Sequence, residues 1–371
     1  MTTPVRVRYE SLGALRGIAA VLLAIFHFPV IFFGAESPLV RHASVCTDLF
    51  FALSGFLLMA SYGNRPNTLG ECGTFLKNRL VRLYPLHLAM TAVVLAMPLI
   101  TYATKVVLTW AMTGNYAGDF AYPAEPWANI VGDLFMLQGF GLYETLHLNF
   151  PSWSIGAIFF CSIIFAVISY LRRGRTALFV AIIVGATYVL MTRAPHYMNS
   201  TVDFGFVRCA LNFFAGALAW SLWARMPAQA VVQRWAVVGQ SAAFVVFVGF
   251  LTGTTPMSMA TMLSPVLSIA VLLAFSVDSG DYAQALQHRY FKWLSERSYS
   301  IFMTQASLLF IGLQTEEWLT YFAVSAPVAS AVGLLSLAAY LALLMVVANW
   351  AYHNIELRLS NRKSVTNPAG A

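Results

Sequence analysis

The chain has 371 residues, of which 59% are apolar, 14% aromatic and only 10% charged, and its mean hydropathy is +0.70. That is too little polar surface to clothe a water-soluble fold of this size, so the composition excludes a soluble enzyme and specifies a polytopic membrane protein. The net charge of +7 calls for no nucleic acid. A basic cytoplasmic face opposite anionic headgroups accounts for it and also suits a phosphate-bearing ligand.

Continuous apolar runs of roughly 17 to 25 residues, the length that crosses a hydrocarbon core as helix, predict an all-α bundle rather than a barrel. Ten spans are expected, near 12–33, 47–62, 83–103, 152–171, 176–192, 205–224, 235–252, 259–277, 298–315 and 325–350. The segment 128–149 carries Asp133, Glu144 and His147 and reads as a helix that lies at an interface or re-enters the fold. With both termini cytoplasmic, all lysines and arginines except Arg41, Lys105, Arg193 and Arg208 fall inside, the bias that orients membrane proteins. The first run lacks a small-residue cleavage site and is expected to be a retained helix. The four cysteines, Cys46, Cys72, Cys161 and Cys209, are scattered and give neither a disulfide framework nor a metal site. One integral-membrane domain over 1–355 is expected, with a cytoplasmic tail over 356–371.

The first span, LGALRGIAAVLLAIFHF, holds Arg16 and His27, both costly in lipid. They are 11 residues apart, which on an α-helix returns to within about 20° of one face and separates them by about 16 Å. One polar stripe results, and Gly13 and Gly17 leave room for a neighbouring helix. In TDLFFALSGFLLMASYG, Asp48 is placed to cap its helix or to orient His27, and Glu36 in the preceding loop competes for the second task. In NRLVRLYPLHL, Arg79 and Arg82 share a face at i and i+3, with Tyr84 and His87 just beyond. Paired guanidiniums form a bidentate clamp for phosphate.

These segments together resemble the membrane-bound acyltransferase 3 family of integral-membrane O-acyltransferases. LGALRGIAAVLLAIFHF resembles its LRGIAA-then-His motif, DLFFALSGFLL its DLFFVLSGF motif and RLVRLYP its RxxRxYP motif. PSWSIGAIFF resembles its WSLSVE segment, LSERSYSIFMTQASLLF its SYSIYLxH segment and YHNIELRLSNR its C-terminal IExP element. Two positions depart from the pattern: Ile158 stands where the family usually has Glu, and Gln305 where it often has His.

The resemblance implies an acyl-coenzyme A donor on the cytoplasmic side and a hydroxyl acceptor, commonly a carbohydrate, in a bacterial cytoplasmic membrane. On that reading Arg16, Arg79, Arg82 and Tyr84 hold the donor, and a pantetheine arm spans the distance from the Arg16 level to His27. His27, oriented by Asp48 or Glu36, is the base that deprotonates the acceptor. Trp153, Ser154 and Gln305 line the acceptor path, and no metal is implied. Two other classes fit the same intramembrane charges: a transporter with a solute or proton path, and a non-catalytic relative that binds acyl-coenzyme A without turnover.

Overall fold

The computed structural model describes residues 9–30, 34–63, 66, 68–113, 127–143, 148–171, 173–225, 233–255 and 257–358. Glu144, His147, the charges Arg6, Arg8, Arg65, Arg172, Arg362 and Lys363 expected inside, the last residues of the first predicted span and the tail beyond Arg358 lie outside them. Every regular element among the described residues is helical.

The principal helices are α1 (Glu10–Phe26), α2 (Cys46–Tyr62), α3 (Leu69–Thr113), α4 (Trp127–Leu134), α5 (Ser152–Leu171) and α6 (Arg175–Thr192). They continue with α7 (Gly205–Trp223), α8 (Ala236–Gly253), α9 (Ser264–Phe275), α10 (Arg289–Thr304), α11 (Phe310–Tyr321) and α12 (Ala326–Ala351). Seven of the described helices are long and apolar enough to cross a membrane, which makes the chain an integral membrane protein.

The other three predicted spans take shorter or broken forms. Helix α1 has 17 residues and stops where Pro29 biases Phe28 away from helical geometry. Its first N–H groups are satisfied from far along the chain, because the Asp278 carboxylate accepts from the amides of Glu10 at 2.8 Å and Ser11 at 2.9 Å. The predicted span at 259–277 is a 3-10 turn, Met259–Leu263, followed by the 12-residue α9. The one at 298–315 is the end of α10, a turn over Ala306–Leu308 and the start of α11, with Gln305 at the break.

Helix α3 departs most from expectation. It runs 45 residues, about 68 Å at the α-helical rise, instead of the predicted 83–103. The RLVRLYPLHL segment therefore lies inside one rigid rod that carries Pro85 and Pro98. Helix α4 spans only 8 residues, too short to cross, and the described residues between it and α5, 135–143 and 148–151, are not helical.

Five apolar clusters hold the bundle together among the described residues, and three of them join the helices around the site. Phe51, Phe75, Phe165, Phe179, Phe213 and Phe214 interlock α2, α3, α5, α6 and α7. Ala20, Ala24, Phe28, Ile301, Tyr340 and Leu344 join α1 to α10 and α12. Leu83, Leu86 and Met90 of α3 meet Leu23, Ile155 and Met303 between the two groups. Glycines set the tightest crossings: a Cβ on Gly17 would come within 2.8 Å of the Leu294 backbone, so the expected close approach at Gly13 and Gly17 is the α1–α10 contact. Outward-facing Val184 on α6 and Val245 on α8 are 62% and 66% exposed, as a lipid-facing surface requires.

Candidate active site

His27 sits at the end of α1, with its amide donating to the Leu23 carbonyl at 3.1 Å, so the helical register from Arg16 is unbroken. The two residues keep the common face and the separation of about 16 Å that the spacing predicts. The imidazole is half-buried, edge-on to Phe150 with centroids 4.7 Å apart and beside Phe26 at 5.0 Å. Its Nδ1 lies 3.3 Å from the amide oxygen of Gln305.

Gln305 is fully buried. Its backbone carbonyl accepts from the Tyr340 hydroxyl at 3.3 Å, which pins the break between α10 and the following turn. Its side-chain nitrogen has no hydrogen-bond partner among the described residues.

The second group of residues lies toward the other end of α1. Arg16 donates to the Ser295 carbonyl at 3.0 Å, and its Nε is buried without a partner. Arg16, Arg79 and Arg82 are within electrostatic reach of one another, so three guanidiniums from two helices form one tier. Arg79 also lies over Phe75, 5.9 Å from the ring centroid. Arg82 is exposed. The carboxylate of Glu356 faces Arg16, Arg82 and Arg297 and accepts from the Ser300 hydroxyl, so one negative charge partly offsets the tier. Glu356 closes a π-helical turn over Tyr352–Glu356, an irregularity found preferentially at functional sites. Arg297 is held between Trp293 and Tyr352, 4.5 and 4.6 Å from their centroids, and meets His353 at 3.2 Å.

Three expected neighbours of this chemistry are used elsewhere. Asp48 does not orient His27. One of its oxygens accepts from Arg208 Nε at 2.6 Å and from Asn212 at 3.2 Å, and the other from Ser264 at 2.8 Å. Arg208 also donates to the carbonyls of Ser200 and Ser44, so a fully buried charge pair ties α2, α7 and α9 together. Glu36 pairs with Arg41, the last residue of a short helix over Pro38–Arg41, at 3.2 Å, with side chains 74% and 62% exposed. The Tyr84 hydroxyl donates to the Leu134 carbonyl at 2.8 Å, which fastens α4 to α3.

Trp153 and Ser154 are both buried. Trp153 lies edge-on to Phe51 with centroids 5.7 Å apart and under the Arg208 guanidinium at 5.9 Å, as part of the floor beneath the Asp48 pair. The Ser154 hydroxyl donates to the Pro151 carbonyl at 2.9 Å, a helix-start bond. A small recess of about 20 Å³ lies beside the Asp48 pair, lined by His42, Asn199, Arg208, Thr254, Thr255 and Thr261. Its lining contains neither His27 nor the guanidinium tier.

A further buried polar cluster surrounds Asp133, which re-enters the fold on α4. His87 Nε2 donates to the Asp133 carbonyl at 2.7 Å, and the Ser152 hydroxyl donates to the Asp133 carboxylate at 3.1 Å and accepts from Gln138 at 2.7 Å. This cluster anchors residues 148–152, and so sets where Phe150 meets His27.

Arg208 and Phe150 carry structural weight that the motifs do not reveal. For Arg208 the signal was present: an arginine with Asn212 four residues later inside the apolar run GFVRCALNFF demands a buried counter-charge. Phe150 gave no signal, because its position depends on the Asp133 cluster.

Residues 9–353 match the family model of the acyltransferase 3 domain, described as "Acyltransferase domain". The chain belongs to this family of membrane acyltransferases. It is also 35% identical over 153 residues, 40% of this chain and 75% of the relative, to "Protein 2 in picA locus" of Rhizobium radiobacter. No solved structure matches it significantly.

Proposed function

We propose that the protein moves a short acyl group, such as acetyl, from acyl-coenzyme A to a hydroxyl of a carbohydrate or glycosylated acceptor, and that it works in a bacterial cytoplasmic membrane. The observation that carries this reading is the unbroken run of α1 from Arg16 to His27, with Arg79 and Arg82 of α3 beside Arg16. A tier of guanidiniums at one level and an imidazole about 16 Å further along one helix fit a ligand with phosphates at one end and a thioester at the other.

On this reading Arg16, Arg79 and Arg82 hold the coenzyme A phosphates. The buried, unpartnered Nε of Arg16 supports the assignment, since a buried guanidinium N–H needs an acceptor. His27 Nε2 takes the proton of the acceptor hydroxyl as its oxygen attacks the thioester carbon. The carbon–sulfur bond then breaks, and the leaving thiolate receives the proton back from the imidazolium. Glu at position 158 is not required by this sequence of steps: Ile158 lies in the apolar packing of α5.

The donor site is tested by Arg82→Ala, an exposed position where truncation leaves packing intact. A charge-assisted hydrogen bond is worth about 1.5 to 3 kcal/mol, so coenzyme A affinity should fall about tenfold or more by calorimetry, with thermal unfolding unchanged. Unaltered affinity would remove the arginine tier from the donor site.

A further inference from the structure

Gln305 stands at a position of known departure from the family pattern, and two features of its side chain point to a task of its own. Its amide oxygen faces His27 Nδ1 at 3.3 Å. Its amide nitrogen, on a side chain with 0% exposure, has no partner among the described residues. A neutral imidazole carries one N–H, and a carbonyl-type acceptor on one ring nitrogen places the hydrogen there. With Gln305 Oε1 as that acceptor, the proton resides on Nδ1 and Nε2 is left with its lone pair, the form a base needs.

The second feature follows from the planarity of the amide. The same group that accepts from the ring holds two N–H donors only one amide width away, so an oxygen bonded to them lies beside the imidazole. An amide donor buried without a partner is destabilising. The backbone around it is fixed by the Tyr340 hydroxyl bond to the Gln305 carbonyl, and the side chain is packed at 0% exposure.

We infer that Gln305 acts twice: its amide oxygen fixes His27 as the Nδ1–H tautomer, and its amide nitrogen donates to the thioester carbonyl oxygen as negative charge develops there. The inference rests on His27 being the base. In the step itself the acceptor oxygen bonds to the acyl carbon, the carbonyl electron pair moves onto the oxygen held by Gln305, and the proton passes to His27 Nε2. When that pair returns, the carbon–sulfur bond breaks and the thiolate takes the proton.

Two variants and one partner mutation separate the parts. Gln305→Glu retains an acceptor for Nδ1 but loses the donor, whereas Gln305→Leu loses both. Transfer rates and coenzyme A affinity are read for each, and nitrogen-15 NMR of labelled histidine, assigned by comparison with His27→Ala, reads the tautomer. Removing an oxyanion donor costs about 10² to 10³ in kcat, so both variants should fall by at least that much with donor affinity unchanged. The Nδ1–H tautomer should persist in Gln305→Glu and become mixed in Gln305→Leu. In the His27→Ala background Gln305→Leu should add far less than its effect alone.

Wild-type kcat in Gln305→Leu, alongside a slow His27→Ala, overturns the role of Gln305 and leaves His27 as base. Wild-type kcat in His27→Ala overturns both. A ring protonated on Nε2 in the wild type overturns the tautomer assignment whatever the rates.

Discussion

Arg208 and Asp48 meet at 2.6 Å with side chains 2% and 0% exposed. A pair so buried is costly to break because either partner alone becomes an uncompensated charge, at about 3 to 5 kcal/mol. Asp48→Ala and Arg208→Ala should each lower the thermal midpoint strongly, and the double substitution should recover part of the loss. Equal, additive losses in a differential scanning measurement would show the two charges to be independent. This also explains why Asp48 was legible as a motif residue but not in its role. A carboxylate at a helix start reads from sequence as a cap or as a partner for the nearest histidine, and the residue that claims it lies 160 positions away. Arg16 and His27 were legible because the information is local: one helix, one periodicity. Gln305 as the partner of His27 was not, since the contact joins residues 278 positions apart.

Among the elements, α2 and α7 pack closely enough that side chains are excluded at two points. A Cβ on Gly55 would strike the Phe213 carbonyl and one on Gly216 the Ala52 carbonyl, while Gly185 on α6 meets nothing within 4 Å. Gly55→Val and Gly216→Val should abolish the folded, monodisperse protein, and Gly185→Val should be recovered at the wild-type yield by size-exclusion chromatography. Comparable yields for all three would mean that the α2–α7 crossing is looser than described. Element boundaries were less legible than element existence. The HFPV sequence does contain the stop for α1, because a proline constrains the residue before it. Helix α3 overran its apolar stretch although Gly70 and Gly73 are poor helix formers, because Phe75 and Leu76 of GECGTFLKNR pack into the apolar core, and hydropathy alone registers only the lipid-facing part. The break at Gln305 gave no such signal, since its contact with His27 joins residues distant in sequence, whereas Pro265 just after Ser264 does mark the start of α9.

Across the whole molecule the polar chemistry separates into two ends. Arg16, Arg79, Arg82 and Glu356 gather at one level, and His27, Asp48 and Arg208 lie toward the other ends of α1, α2 and α7. The topology expected from the sequence, with ten crossings and both termini cytoplasmic, would put the guanidinium tier inside and His196 outside. In a Cys72→Ser background, where the remaining cysteines are buried, His196→Cys should react with an impermeant maleimide on intact spheroplasts and Lys292→Cys only after the membrane is opened. The reverse pattern would invert the donor side. Composition made the class of the molecule plain, and the ordered motifs its family, because both are properties summed over the chain. How the two ends communicate is a property of packing between distant helices, and no local pattern records it.

The proposal centres on His27 as the group that activates the acceptor. Single-turnover acyl transfer by purified His27→Ala in nanodiscs, with coenzyme A affinity measured on the same preparation, tests this most directly. Loss of a positioned base predicts a rate lower by about 10² to 10⁴ with donor affinity preserved. Transfer at the wild-type rate would contradict it.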